Sequence, residues 1–138
     1  MKQGHINIAH GTLSRLYRIE GLPFGLSSCL FNAKRRLDPY IEHQQEQEIA
    51  ALEANGEMNP DGSYTLTDEQ KKAFNDLLLE IREADVEYDY NPVKISITAE
   101  LCEKMGITGE TNESLDGIVI IEVDGKTAED FVGDWCGE

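Results

Sequence analysis

The stretch GLSSCLFNAKRRLDPYIEHQQEQEIAALEA, residues 25–54, decides the fold. Its apolar positions Leu26, Cys29, Leu30, Ala33, Leu37, Tyr40, Ile41 and, after a polar gap, Ile49 and Leu52 recur at spacings of three and four. That is the period of one long amphipathic helix. Pro39 lies inside it, lacks a backbone donor and crowds the preceding turn, so the sequence allows a kink near residues 34–37 or a restart at Asp38. The tract HQQEQE, residues 43–48, is too polar to be enclosed and is expected to project.

Downstream, Asn55-Gly56 supplies a stop and Asn59-Pro60-Asp61-Gly62 a turn, because proline fixes one dihedral and glycine accepts positive φ. Tyr64 and Leu66 suit a short strand. Thr67-Asp68-Glu69-Gln70 reads as a capping box that opens a helix to about Ala84, with Phe74, Leu77, Leu78 and Ile81 as its buried stripe. Two helices joined in this way make an antiparallel hairpin.

The strands follow. Asp85-Val86-Glu87-Tyr88-Asp89-Tyr90 alternates cleanly, and Val93, Ile95 and Ile97 resume the same period after Asn91-Pro92. Residues 98–105 read as a short helix capped by Thr98 and stopped by Gly106, and residues 109–116 as a polar loop. Residues 117–123 are the most strand-like of the chain, with a hairpin-type turn at Asp124-Gly125. Upstream, Ile6 and Ile8 suggest a strand that Gly11 breaks, followed by a helix over residues 12–19. The expected fold is α+β, an antiparallel helical hairpin packed with a small, mainly antiparallel β-sheet. It forms a single domain over residues 1–138, with an acidic tail at about 127–138 that either docks as a last helical turn or stays loose.

Composition narrows the function. No run of about 18 apolar residues exists and the N-terminus lacks the apolar stretch of a secretory signal, so a cytoplasmic protein without membrane contact is expected. Cys29, Cys102 and Cys136 are odd in number and far apart, and we read them as reduced thiols, the first two in the core. The net charge of −15 is unevenly spread. Residues 1–36 hold six basic residues against one acidic, a balance of +5, and the rest holds six against twenty-six, a balance of −20. Such a field repels nucleic acid and favours a basic partner, although it also serves simple solubility.

No phosphate-binding glycine loop, nucleophile elbow or metal-ligand spacing is present, so neither an enzyme nor a cofactor is expected. Asp85, Glu87 and Asp89 form a carboxylate row about 7 Å apart if the segment is a strand. A second acidic set comprises Glu122, Asp124, Glu129, Asp130, Asp134 and Glu138. Together they suit a cationic nucleic-acid groove on another protein, or else a solvated sheet face guarded against aggregation. The basic group Arg15, Arg18, Lys34, Arg35 and Arg36 either balances charge within the fold or contacts an acidic site, such as that of a second copy. Four of these residues, Arg15, Arg18, Arg35 and Arg36, are also able to bind a small anionic signal at a subunit interface.

The order Gly21-Leu22-Pro23, Ala33-Lys34-Arg35-Arg36-Leu37, Asn59-Pro60-Asp61-Gly62-Ser63-Tyr64 and then residues 86–97 (VEYDYNPVKISI) resembles a family of small proteins encoded by bacteriophages and prophages. The resemblance covers about residues 5–123, and the family brings no assigned activity or catalytic residues. Phage origin implies action on host defence, by analogy with anti-CRISPR proteins of similar size and acidity. It points to a stoichiometric inhibitor of a basic host protein, with a CRISPR effector nuclease as the first candidate. The alternative is an assembly or structural factor of the phage particle that acts through self-association.

Overall fold

The computed structural model describes residues 1–126. Over them the chain forms five helices and two small sheets: α1 (Gln3–Leu16), α2 (Phe24–Asn55), β1 (Glu57–Met58), β2 (Tyr64–Thr65), α3 (Asp68–Glu83), β3 (Val93–Ile97), α4 (Ala99–Met105), α5 (Gly109–Ser114) and β4 (Val119–Val123). Mixed helix and strand is therefore correct. The described chain divides into two compact units, Met1–Ile6 with Asp38–Glu87 (unit 1) and Asn7–Leu37 with the residues from Tyr88 onward (unit 2). No helix among the described residues is long and apolar enough to cross a membrane.

Unit 2 holds nearly all of the core. Ala9, Leu13 and Leu16 of α1 and Leu30, Ala33 and Leu37 of α2 are buried, each set at helical spacing. With the alternation of a half-buried strand, β3 buries Ile95 and Ile97, while β4 buries Val119, Ile121 and Val123. The two strands pair in parallel, with Ile95 opposite Ile121 and Ile97 opposite Val123. The sheet expected to be mainly antiparallel thus has a parallel principal pair. The reason is the crossover: parallel neighbours need a long connection, which α4 and α5 supply.

Local signals behave as their chemistry requires. The Thr98 hydroxyl accepts from Leu101 N at 3.2 Å and caps α4, whose end is closed by Gly106 at φ +67°. Met105 and Cys102 face inward from this helix. Cys102 is disulfide-bonded, contrary to the reduced thiol expected, and Cys29 is a free thiol that is exposed, not core. Residues 109–116, expected as a loop, include the short helix α5, which is tied to α1 by Thr12 Oγ1 and Ser114 Oγ at 3.0 Å.

Unit 1 is built differently. Thr67 and Gln70 form the expected capping box, each side chain serving the other's backbone N–H. β1 and β2 pair antiparallel across the Asn59–Gly62 turn, where Gly62 takes φ +87°. Yet no side chain of α3 is buried, so the stripe Phe74, Leu77, Leu78 and Ile81 is half-covered at most. The buried residues of this unit are Gln3, Ile6, Gln44 and Ala51.

Two expected strands are not strands. Residues 5–10 belong to α1, because Ile6, Ala9, Leu13 and Leu16 run through Gly11 at helical spacing and Ile8 is left 59% exposed. Residues 85–90 are irregular apart from one bridge, Lys2 to Asp85. Alternation defines two faces, but a strand also needs a neighbouring backbone, and this segment gains one only at its first residues, where Val86 N donates to Met1 O at 2.8 Å.

Candidate functional site

The carboxylate row loses its geometric basis with the strand. Asp85 and Glu87 are exposed in unit 1 and Asp89 is exposed in unit 2, so no common strand face carries the three. The Glu87 carbonyl accepts from Tyr40 Oη at 2.6 Å, which anchors the backbone while its carboxylate faces solvent. Glu87 also borders an open cleft of about 360 Å³ with Gln3, Pro39, Tyr40, His43 and Val86.

Of the second acidic set, Glu122 is engaged within the fold. Its Oε2 lies 3.2 Å from Lys94 Nζ and accepts from Ser96 Oγ at 3.1 Å, both on the neighbouring strand β3. Only 18% of its side chain is exposed, and both of its contacts lie within the sheet. Asp124 is exposed and occupies a tight turn at φ +52°, followed by Gly125 at φ +84°. Glu129, Asp130, Asp134 and Glu138 lie outside the described residues.

What the chain does concentrate is charge by unit. Unit 1 carries fourteen acidic residues against four basic, a balance of −10, whereas the described part of unit 2 carries nine against eight, a balance of −1. Twelve of the fourteen are exposed. On α2, Glu42, Glu46 and Glu53 follow an i, i+4, i+11 spacing, and on α3, Glu69, Asp76 and Glu80 follow i, i+7, i+11, so each set forms a stripe on one helix face. Successive carboxylates at i and i+4 stand about 6 Å apart along the axis, from a rise of about 1.5 Å per residue. Sequence reasoning overlooked these stripes because it weighed alternation over helical spacing, although the signal was present in the spacing itself.

Among the shifted groups, Asp61 is held below the usual carboxylate range because Ser63 donates to its Oδ1 from both Oγ, at 2.6 Å, and backbone N, at 3.0 Å. Glu83 raises Lys2 through a hydrogen bond and ion pairing. Among the described residues no group of three His, Cys, Asp or Glu side chains is arranged to hold a metal ion.

The basic group gathers on aromatic rings. Arg36 lies 5.1 Å from the Tyr90 centroid and donates to the Asn91 carbonyl at 3.4 Å. Arg18 lies over Tyr17, while Lys34 and Arg35 lie over Phe31. Arg15, in the last turn of α1, complements that helix's C-terminal dipole. Comparison of the chain with protein-family models, with curated proteins and with solved structures finds no match.

Proposed function

We propose that this chain is a phage-encoded, non-enzymatic acidic protein that acts in the cytoplasm of an infected bacterium by occupying a basic nucleic-acid channel on a host defence protein. A CRISPR effector nuclease is the first candidate. One observation carries the reading: a balance of −10 over the 56 residues of unit 1, with twelve of its fourteen carboxylates exposed. Clustered charge of one sign steers a complementary partner and is screened within about 8 Å at physiological salt. The proposed binding surface is the acidic helix faces of unit 1, together with the exposed Asp85 and Glu87 of the same unit, rather than the 85–89 row or Glu122. The antiparallel pairing of α2 and α3 is part of this proposal, supported by the cavity that Phe74 of α3 lines with Gln45, Glu48, Ile49 and Leu52 of α2.

The test is capture of candidate defence nucleases by the tagged chain at about 0.1 M and about 0.5 M salt, using the parent and Glu42→Gln/Glu46→Gln/Glu53→Gln. Binding should fall steeply with salt and with the triple change. Complexes that survive both unaltered would remove charge mimicry as the mechanism.

A second reading, a particle assembly factor working by self-association, is favoured by the apolar surface that unit 1 leaves uncovered. Ile49, Met58 and Leu79 are 54%, 66% and 57% exposed. Size-exclusion chromatography with light scattering separates the two, since a large oligomer indifferent to salt belongs to assembly.

A further inference from the structure

Tyr17 and Phe31 meet edge to face, with ring centroids 5.4 Å apart and planes at 63°. Three cations collect on this pair. The Arg18 guanidinium is 5.6 Å from the Tyr17 centroid, and the Lys34 ammonium and Arg35 guanidinium are each 5.9 Å from that of Phe31. The arrangement has a simple origin, because Phe31, Lys34 and Arg35 are i, i+3 and i+4 on α2 and so share a face. Phe24, seven residues before Phe31, lies on the same face and is 88% exposed; Phe31 is 39% exposed.

A charge-balancing role would place carboxylates against Arg18 and Arg35. Among the described residues neither Arg18 nor Arg35 makes an ion pair; each faces a ring and is exposed to solvent. A cation over an exposed ring is attracted to it only weakly and keeps its capacity for an incoming anion. The face therefore suits a ligand that is acidic and apolar together, laid out over the length of a few helical turns.

The chain itself carries such a ligand. Glu42, Glu46, Ile49 and Glu53 of α2 fall within about 60° of one another around the helix, given about 100° per residue, and span about 16 Å. All four are exposed, Ile49 to 54%. They belong to unit 1, with its balance of −10, whereas the cation–aromatic face belongs to unit 2. We propose that the Tyr17–Phe31 face of one copy docks the Glu42–Glu53 stripe of a second copy, the carboxylates meeting Arg18 and Arg35, and Ile49 meeting the exposed rings. Each copy carries both halves of the contact, so two copies offer each other at least one. Nucleic acid, the other usual ligand of aromatic and cationic surfaces, is opposed by the chain's net charge of −15. The inference is independent of any host partner, since purified chain alone is sufficient to test it.

The experiment is sedimentation of the full 138-residue chain at about 50 mM and about 500 mM salt. The parent should associate with rising concentration at low salt and return to monomer at high salt. Arg18→Glu/Arg35→Glu and Glu42→Lys/Glu46→Lys/Glu53→Lys should each weaken association about tenfold or more, with circular dichroism unchanged. Mixing the two variants restores one competent contact and should give a 1:1 complex. A parent that stays monomeric at low salt overturns the proposal, as do variants that associate like the parent or a mixture that remains monomeric. A fluorescent single-stranded oligonucleotide that binds the parent but not Arg18→Glu/Arg35→Glu would reassign the face to nucleic acid and overturn it too.

Discussion

Gln3 Nε2 donates to Gln44 Oε1 at 3.2 Å, and both side chains are almost closed to solvent, at 2% and 8% exposure. Gln3 Nε2 also reaches the Tyr40 carbonyl at 3.2 Å, while Gln44 Nε2 donates to Glu48 at 2.8 Å. A buried amide left without a partner costs about 1–3 kcal/mol, whereas replacing both partners by apolar groups of similar shape is nearly neutral. Gln44→Ala should therefore lower unfolding free energy by about 1–3 kcal/mol, and Gln3→Leu/Gln44→Leu should recover most of that loss. Urea titration followed by circular dichroism measures both. Equal losses in the single and double variants would show that the amide pair is not what the site requires.

Glu122 gives a second expectation. Lys94 is 60% exposed, so this ion pair is solvent-screened and Glu122→Gln should cost no more than about 1 kcal/mol of stability. Because the carboxylate is turned to Lys94 and Ser96, the same change should leave capture of a cationic partner unaltered, while Glu42→Gln/Glu46→Gln weakens it. Equal weakening by both would return Glu122 to the binding surface.

The elements that the sequence foretold are those whose signals are complete within a few residues. Thr67 to Gln70, Thr98 with Gly106 and Asp124-Gly125 each specify a local cap or turn that forms as read, and the spacing of residues 25–54 specifies a helix that forms, although Cys29 and Ile49 of its apolar face are exposed. What failed depends on partners remote in sequence. Residues 85–90 alternate perfectly and still lack a neighbouring backbone beyond Lys2, and the parallel pairing of β3 with β4 is set by the 21 residues between them. The polar neighbours of Gln44 predict a projecting tract, but Gln3, 41 residues away, satisfies its amide and allows burial. In the candidate site the remote partner matters at Glu122, whereas the Glu42 and Glu46 stripe is legible in helical spacing alone. Counting carboxylates located an acidic bulk, but which of them face solvent follows from helix phase for Glu42 and Glu46 and from a cross-strand lysine for Glu122.

Asp61 carries the clearest pH dependence. Its folded pKa is depressed by Ser63, so its contribution is present above the unfolded value of about 3.9 and is lost as pH falls through the lower folded value. Acidification below pH about 4 should loosen the β1–β2 turn before the core of unit 2 responds. Asp61→Asn should abolish that early step. Amide hydrogen exchange at Ser63 and Thr65 against pH reads it directly, and an unchanged step in the variant would assign it to another carboxylate.

Asp124 separates turn chemistry from charge. It and Gly125 both take positive φ, and the turn they form is closed by Lys126 N to Val123 O at 3.0 Å and Val123 N to Lys126 O at 2.7 Å. Two successive residues of that conformation are the requirement of a type I′ turn, in which Asp, Asn and Gly are favoured at the first position. Asp124→Asn keeps the backbone preference and removes the charge, so stability should stay within about 0.5 kcal/mol. Asp124→Val keeps neither, and a β-branched residue forced to positive φ should cost about 1–3 kcal/mol. If Asp124 also meets a cationic partner, Asp124→Asn alone weakens capture at unchanged stability; if it only shapes the turn, capture by Asp124→Asn equals that of the parent. Thermal melts and pull-downs of the same two variants decide between those outcomes, and equal stability in both variants would show that this turn does not depend on the residue at its first position.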